Sequence, residues 1–217
     1  MGNSRAYPVL RTADLRRAYA VARQLLALAD LRWAEVSLAA DTRSYEVDRY
    51  LRAFPGGLLW LTVPAELVDV AHPVLAPYVD PANLADLRFL EGVWLAPEVG
   101  AECLAALRRL PDLPVEFELP DQPVGDVEER FLPVVGADRG SVRWESTAWP
   151  PVEELDLGWQ VKYAEVQITV NSTGVDHQER SAEHTLYVHV GAEGEKRARW
   201  LADRVGLAVV GPEEAGF

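Results

Sequence analysis

Two segments near the C-terminal end of the chain alternate between apolar and polar residues, and they constrain the fold more than any other feature. The first runs from Ala164 to Val170 and the second from His184 to Val190. Alternation with a period of two is typical of β-strands that bury one face. We therefore expect two half-buried strands that pair as a hairpin across the loop 171–183.

The apolar faces of these strands also set the register of the pairing, because a shift of one residue would turn every side chain to the other face. The matched register places Val166 opposite Val188 and Glu165 opposite His189. A glutamate beside a histidine on neighbouring strands is usually an ordinary sheet contact. The same arrangement can orient a general base, since a carboxylate fixes the imidazole tautomer and raises its basicity. Glu165 and His189 are therefore the candidate catalytic residues.

The rest of the chain alternates short apolar strands with helical patterns. We predict further strands at 33–38, 58–63, 92–95, 115–119 and 207–210. We predict helices at 12–30, 42–54, 98–110 and 194–205, and one that begins at Pro64. The Pro-rich region 72–87 is expected to be irregular. This mixture predicts an α+β protein with mixed or antiparallel sheets and helices packed on one face.

An internal similarity links the two halves of the chain. The segment Arg32 to Leu38 resembles Lys162 to Ile168, and both 93–117 and 187–210 have a strand-helix-strand pattern. A pseudo-duplicated strand-strand-helix-strand unit would explain this, with an insertion around 42–85 in the first copy. Chance similarity between strand-forming segments explains it equally well. A duplication would create a cleft between halves, where ligands often bind.

Composition divides the chain into three parts. Residues 1–119 form an N-terminal α/β half, 120–158 an acidic connector with Pro and Trp, and 159–217 a C-terminal hairpin-helix-strand half. Three tryptophans lie in or beside the connector, at positions 144, 149 and 159. Three large aromatic side chains are too many for a free linker, so part of it should pack. The sequence leaves open whether the halves form one compact domain or two.

The charge is strongly negative and unevenly distributed. The net charge is −13, and the stretch from Asp112 to Arg130 holds seven acids and one base. Such a chain repels nucleic acid and anionic membranes, so neither is an expected partner. The acidity suits a basic protein partner, or it simply keeps the chain in solution. The candidate binding residues are Asp121, Asp126, Glu128, Glu129, Trp144 and Trp149.

Three of the four histidines lie close together, at positions 177, 184 and 189. His184 and His189 are five residues apart in a predicted strand and face opposite sides, so they cannot share a metal ion. Asp176 and His177 lie in the hairpin loop, with His184 at its mouth. Carboxylate and imidazole ligands suit zinc, iron or manganese, so these three are the candidate metal ligands. The alternative is a polar loop followed by a histidine at the end of a strand.

Established motifs of cofactor binding and catalysis are missing from the sequence. It has no Gly-rich phosphate loop, no dinucleotide fingerprint, no Gly-x-Ser-x-Gly, no His-Glu-x-x-His and no Cys-x-x-Cys. The sequence therefore predicts no particular cofactor. Cys103 is the single cysteine, so no internal disulfide can form, and no stretch approaches the roughly 18 apolar residues of a membrane span. These features favour a cytoplasmic protein.

Functions from three classes fit the sequence. The favoured one is an acidic cytoplasmic protein-binding module, such as an immunity-type protein that neutralises a basic toxin or nuclease. The alternative is an enzyme, either a metal-dependent hydrolase using the loop residues or a general-base enzyme using Glu165 and His189. The third is an assembly component that folds and oligomerises. The sequence selects neither a partner nor an oligomeric state.

Overall fold

The structure is a computed structural model that describes residues 4–85, 87, 91–95, 101–191 and 194–216. The strands in this part of the chain are β1 Ser4–Thr12, β2 Glu35–Arg43, β3 Leu58–Thr62, β4 Gly92–Leu95, β5 Pro114–Pro123, β6 Arg139–Glu145, β7 Glu165–Val170, β8 His184–Gly191 and β9 Glu214–Ala215. They form an antiparallel sheet in the order β4-β3-β5-β2-β6-β7-β8-β1-β9. The predicted α+β class is confirmed.

Helices lie between most consecutive strands. Those described are α1 Leu15–Leu26, α2 Asp48–Ala53, α3 Val68–Leu75, α4 Pro81–Ala85, α5 Ala101–Leu107, α6 Asp126–Val135 and α7 Glu195–Arg204. Two short 3-10 helices lie at Ala65–Leu67 and Glu153–Leu155. In the ranges given above, no helix is both long enough and apolar enough to span a bilayer.

The chain forms two compact units. The first consists of Met1–Leu38, Asp121–Leu132 and Ala137–Phe217, and the second of Ala39–Pro120 and Pro133–Gly136. The first and last described strands, β1 and β9, therefore belong to the same unit. The predicted connector, 120–158, is not an extended linker, because it contains the whole of helix α6 and the whole of strand β6.

The hairpin of β7 and β8 lies in the first unit, and its predicted register is confirmed. Val166 pairs with Val188 and Glu165 pairs with His189. The expectation of half-buried strands was wrong, since both faces of the hairpin are largely buried. Both strands have neighbours on each side in the sheet, and helices α1 and α7 pack against the hairpin. The polar side chains of the hairpin are therefore enclosed rather than exposed to solvent.

Strand β1 was not predicted from the sequence. It pairs with β8 along its whole length, with a bulge between Pro8 and Leu10. Nearly all of its residues are buried, so it lacks the alternation by which half-buried strands are found. Because β1 extends to Thr12, helix α1 begins later than predicted, and its N-cap is Asp14 rather than Thr12. The Asp14 carboxylate accepts a hydrogen bond from the backbone N–H of Arg17 at 3.1 Å.

Several other predicted elements exist with different bounds. Strand β2 runs on to Arg43 and α2 begins only at Asp48, so the predicted helix 42–54 was too long. The region 72–87 contains the end of α3 and all of α4 instead of being irregular throughout. Helix α5 confirms part of the predicted helix 98–110, of which 98–100 lie outside the described residues.

The C-terminal segment differs from its prediction. Residues 207–210 form no strand, although Val210 N donates a hydrogen bond to Pro8 O at 2.8 Å. The last strand is β9 instead, which pairs with β1 through Glu214 and Ala215. The predicted helix 194–205 is confirmed as α7. The two similar segments, 32–38 and 162–168, also share one local structure, a two-residue turn followed by a strand.

The second unit contains β3 between β4 and β5. The predicted strands 58–63 and 92–95 are confirmed. On one face the ring of Phe117 contacts Tyr50 and Phe54, with ring centroids 5.0 Å and 6.0 Å apart. Alternate residues of these strands point the opposite way. That opposite face carries partly exposed side chains of Trp60 and Trp94.

Candidate functional site

Glu165 is the first candidate catalytic residue, and its carboxylate pairs with an arginine rather than with the histidine. Its Oε2 atom lies 2.9 Å from Arg143 Nε and 3.9 Å from His189 Nδ1. The second distance is too long for a hydrogen bond. Burial raises the pKa of Glu165, while the positive charge of Arg143 acts in the opposite direction. The cross-strand neighbours therefore do not form a carboxylate–imidazole hydrogen bond.

His189 is oriented by a glutamine on the neighbouring strand. Its Nε2 atom lies 2.9 Å from Gln167 Oε1. Gln167 Nε2 donates to the carbonyl oxygen of Val175 at 2.9 Å, which leaves Oε1 as the acceptor. His189 Nε2 must therefore carry the proton of the neutral imidazole.

The surroundings of His189 also disfavour proton transfer at neutral pH. Burial, and then the positive charge of Arg143, lower the pKa of His189 to about 3. The side chain is completely buried. A general base needs a pKa near the working pH and reach to a substrate proton. The catalytic role of Glu165 and His189 stays a prediction, and this conformation does not favour it.

The candidate metal ligands lie in and beside the loop between β7 and β8. His184 Nδ1 accepts a hydrogen bond from the backbone N–H of Asn171 at 3.0 Å. Burial lowers the pKa of His184, while a backbone hydrogen bond at Ala13 acts in the opposite direction. His177 is buried and Asp176 is exposed. A metal ion at His184 would have to replace one of its backbone partners, so the three-residue site stays a prediction.

The same loop borders a cavity of about 570 Å³ in the first unit. The charged residues of its lining are Arg11, Asp176, Glu179 and Glu214. Glu214 is fixed by two bonds, because Oε1 accepts from the Tyr187 hydroxyl at 2.7 Å and Oε2 accepts from Val175 N at 2.9 Å. Burial, and then the hydrogen bond to Glu214, raise the pKa of Tyr187. These bonds join the C-terminal segment to the hairpin loop and form one wall of the cavity.

The four acids predicted to bind a partner have two different environments. Glu128 is completely buried. Its Oε1 accepts from Trp144 Nε1 at 2.8 Å and its Oε2 accepts from Gly125 N at 3.0 Å. A glutamate that bonds the backbone N–H preceding its own helix forms half of a capping box. Glu128 therefore stabilises the start of α6. The exposed acids are Asp121, Asp126 and Glu129.

The two tryptophans predicted as binding anchors belong to the core. Trp144 and Trp149 are completely buried, and Trp149 Nε1 donates to the carbonyl oxygen of His189 at 2.9 Å. Enclosed side chains cannot contact a partner without a rearrangement of the chain. Trp33 and Trp159 are the exposed tryptophans of the first unit, with 81% and 61% of their surface accessible.

One face of the second unit carries a partly exposed surface that the sequence analysis did not identify. Trp60 pairs directly with Trp94 on β4 and with Glu116 on β5. The two indole rings are 5.2 Å apart with an interplanar angle of 61°. The Trp60 ring covers Gly92, where an added Cβ atom would lie 2.4 Å from a ring carbon. Glycine at this position therefore lets the indole lie against the strand.

Two glutamates complete this face. Glu116 and Glu118 alternate with buried apolar residues along β5, and Leu58 pairs with Glu118. Burial raises the pKa of Glu116, and the negative charges of Glu118 and then Asp41 raise it further. Burial also raises the pKa of Glu118. We call the four residues Trp94, Trp60, Glu116 and Glu118 the aromatic–acidic strip. Its sequence signal is the alternation of Glu116 and Glu118 with apolar residues in the predicted strand 115–119.

Comparisons with known proteins identify no relative of this chain. A scan against protein-family models gave no match, and searches of curated proteins and of solved structures also gave none. Its function is therefore inferred from its own geometry and charges.

Proposed function

We propose that this protein is an acidic protein-binding module for a basic polypeptide partner. The observation that carries the proposal is the exposed group of Asp121, Asp126 and Glu129 around the start of α6. Among the described residues, none of these three carboxylates forms an ion pair with an arginine or a lysine. Their charge is therefore available to a partner.

The overall charge of the chain supports the same function. A net charge of −13 repels nucleic acid and anionic membranes, and it attracts basic proteins over a range set by the salt concentration. Opposed charge accelerates encounter and rejects partners of like charge. A cytoplasmic role as an immunity-type neutraliser of a basic toxin or nuclease is the form of this proposal that we favour. The buried free thiol of Cys103 and the lack of any disulfide are compatible with it.

The enzyme alternative has weaker support from the geometry. Glu165 is paired with Arg143, His189 is enclosed, and His184 has backbone partners. The strongest competing explanation for the exposed acids is different. Acidic side chains at a helix start interact favourably with the helix dipole, and surface charge keeps a protein in solution. The test must therefore separate a binding site from net charge.

A pair of matched triple variants makes this separation. The site variant combines Asp121→Asn, Asp126→Asn and Glu129→Gln, and the control combines Asp156→Asn, Glu153→Gln and Glu183→Gln. All six acids are exposed residues of the first unit, so both variants lose three negative charges. Asp121 and Asp156 also share a left-handed backbone, which asparagine tolerates. Isothermal titration with nona-arginine at low and high salt measures the affinity.

We expect the site variant to weaken binding about 10-fold or more, since each exposed charge contributes up to about 1 kcal/mol and 1.4 kcal/mol is a factor of ten. The control should change the affinity about threefold or less. Equal losses in both variants would mean that only net charge matters. Failure of the unaltered protein to bind nona-arginine at low salt would also refute the proposal.

A further inference from the structure

We infer that the aromatic–acidic strip of the second unit receives an arginine side chain of the basic partner. This inference rests on the proposed function and adds to it a place and a residue type. The strip belongs to the second unit, whereas Asp121, Asp126 and Glu129 belong to the first. The four strip residues are therefore a second set, whose contribution to peptide binding can be measured on its own.

The geometry of the strip matches a guanidinium group. Adjacent strands are about 4.8 Å apart, so Trp94, Trp60 and Glu116 span roughly 10 Å across three strands. The indoles meet edge to face with an angle of 61°, and Trp60 pairs with Glu116 on the neighbouring strand, so an indole surface and a carboxylate lie on one face of the sheet. A guanidinium can stack on that surface while its N–H groups reach the carboxylate. Trp94 remains 41% exposed, so the ring is accessible from solvent.

The charges of the strip favour a cation. Glu116 and Glu118 lie on the same face of β5, two residues apart, and Asp41 adds a third negative charge that acts on Glu116. No arginine or lysine of the described residues forms an ion pair with Glu116 or Glu118. Burial and mutual repulsion both disfavour the ionised carboxylates. A bound cation would offset both effects, so charge complementarity selects a basic occupant.

Arginine fits this surface better than lysine does. The planar guanidinium stacks on aromatic rings, is more weakly hydrated than an ammonium, and donates in a fork that matches a carboxylate. A cation that stacks over an exposed indole increases the binding affinity a few-fold. The strip should therefore discriminate between two peptides of equal charge.

The test compares nona-arginine with nona-lysine on the whole protein. We expect the unaltered protein to bind nona-arginine about three- to fivefold more tightly than nona-lysine. Trp94→Ala should reduce this ratio to about one, whereas the control Trp33→Ala, also at an exposed tryptophan, should retain it. Glu118→Gln should weaken nona-arginine more than Glu66→Gln, which removes the same charge at an exposed site of the same unit.

Nuclear magnetic resonance gives a readout that does not depend on substitutions. Nona-arginine should shift the indole N–H signals of Trp60 and Trp94 more than that of Trp33. Tight nona-arginine binding that leaves these signals unmoved, or a preference for arginine that survives Trp94→Ala, would overturn this inference while the proposed function stands. No binding of either peptide would overturn both.

Discussion

Replacing Glu128 tests whether the predicted acidic site contains a structural residue. Glu128→Ala removes the acceptor for the Trp144 indole and for the backbone N–H of Gly125. Loss of a helix cap costs about 1 kcal/mol. Leaving a buried N–H without a partner costs about 1–3 kcal/mol. We therefore expect Glu128→Ala to lower the free energy of unfolding by about 3 kcal/mol.

Two companion variants give this prediction its controls. Glu129→Ala removes the same charge from the exposed neighbouring position and should change the free energy of unfolding by about 0.5 kcal/mol or less. Glu128→Gln keeps an oxygen that can accept the Trp144 N–H, so it should cost far less than the alanine variant. Urea unfolding followed by tryptophan fluorescence measures all three. Equal stabilities of Glu128→Ala and Glu129→Ala would refute the buried role of Glu128.

Two further predictions follow from buried titratable groups. Because folded His189 stays neutral down to pH about 3 while the unfolded histidine takes up a proton below about 6.5, lowering the pH favours unfolding. From pH 7 to 5 this histidine should remove about 2 kcal/mol of stability, and His189→Gln should lose that part of the pH dependence; an unchanged slope would contradict the assignment. Cys103 is buried, and burial raises the pKa of its thiol. A disulfide reagent should therefore label the folded chain about 100-fold more slowly than the urea-unfolded chain. Similar labelling rates would contradict the burial of Cys103.

The hairpin shows what the sequence can predict. Its register follows from the alternation of apolar residues, and Glu165 does lie opposite His189. The side-chain bonds do not follow from the register. Glu165 turns to Arg143, on a strand that lies within the predicted connector and was not predicted, and His189 is held by Gln167. Which side chains bond to one another depends on the other elements that pack beside the two strands. The periodicity of the strands does not identify those elements.

The acidic segment shows a second limit. Its composition correctly identifies a concentration of carboxylates, but composition does not distinguish buried Glu128 from exposed Glu129. The capping spacing from Gly125 to Glu128 is visible in the sequence only once the helix start is known. The burial of Trp144 follows from the same helix start, since Glu128 accepts its N–H. Helix α6 was not predicted, so the sequence did not show that Glu128 and Trp144 are buried.

The most direct test of the central claim is a titration of isotope-labelled protein with nona-arginine, followed through its backbone amide signals. The proposed function predicts that the largest shifts in the first unit cluster at Asp121, Asp126 and Glu129, and that they diminish as salt is added. Shifts spread evenly over exposed acids such as Glu153 and Glu183, or no shifts at low salt, would contradict it.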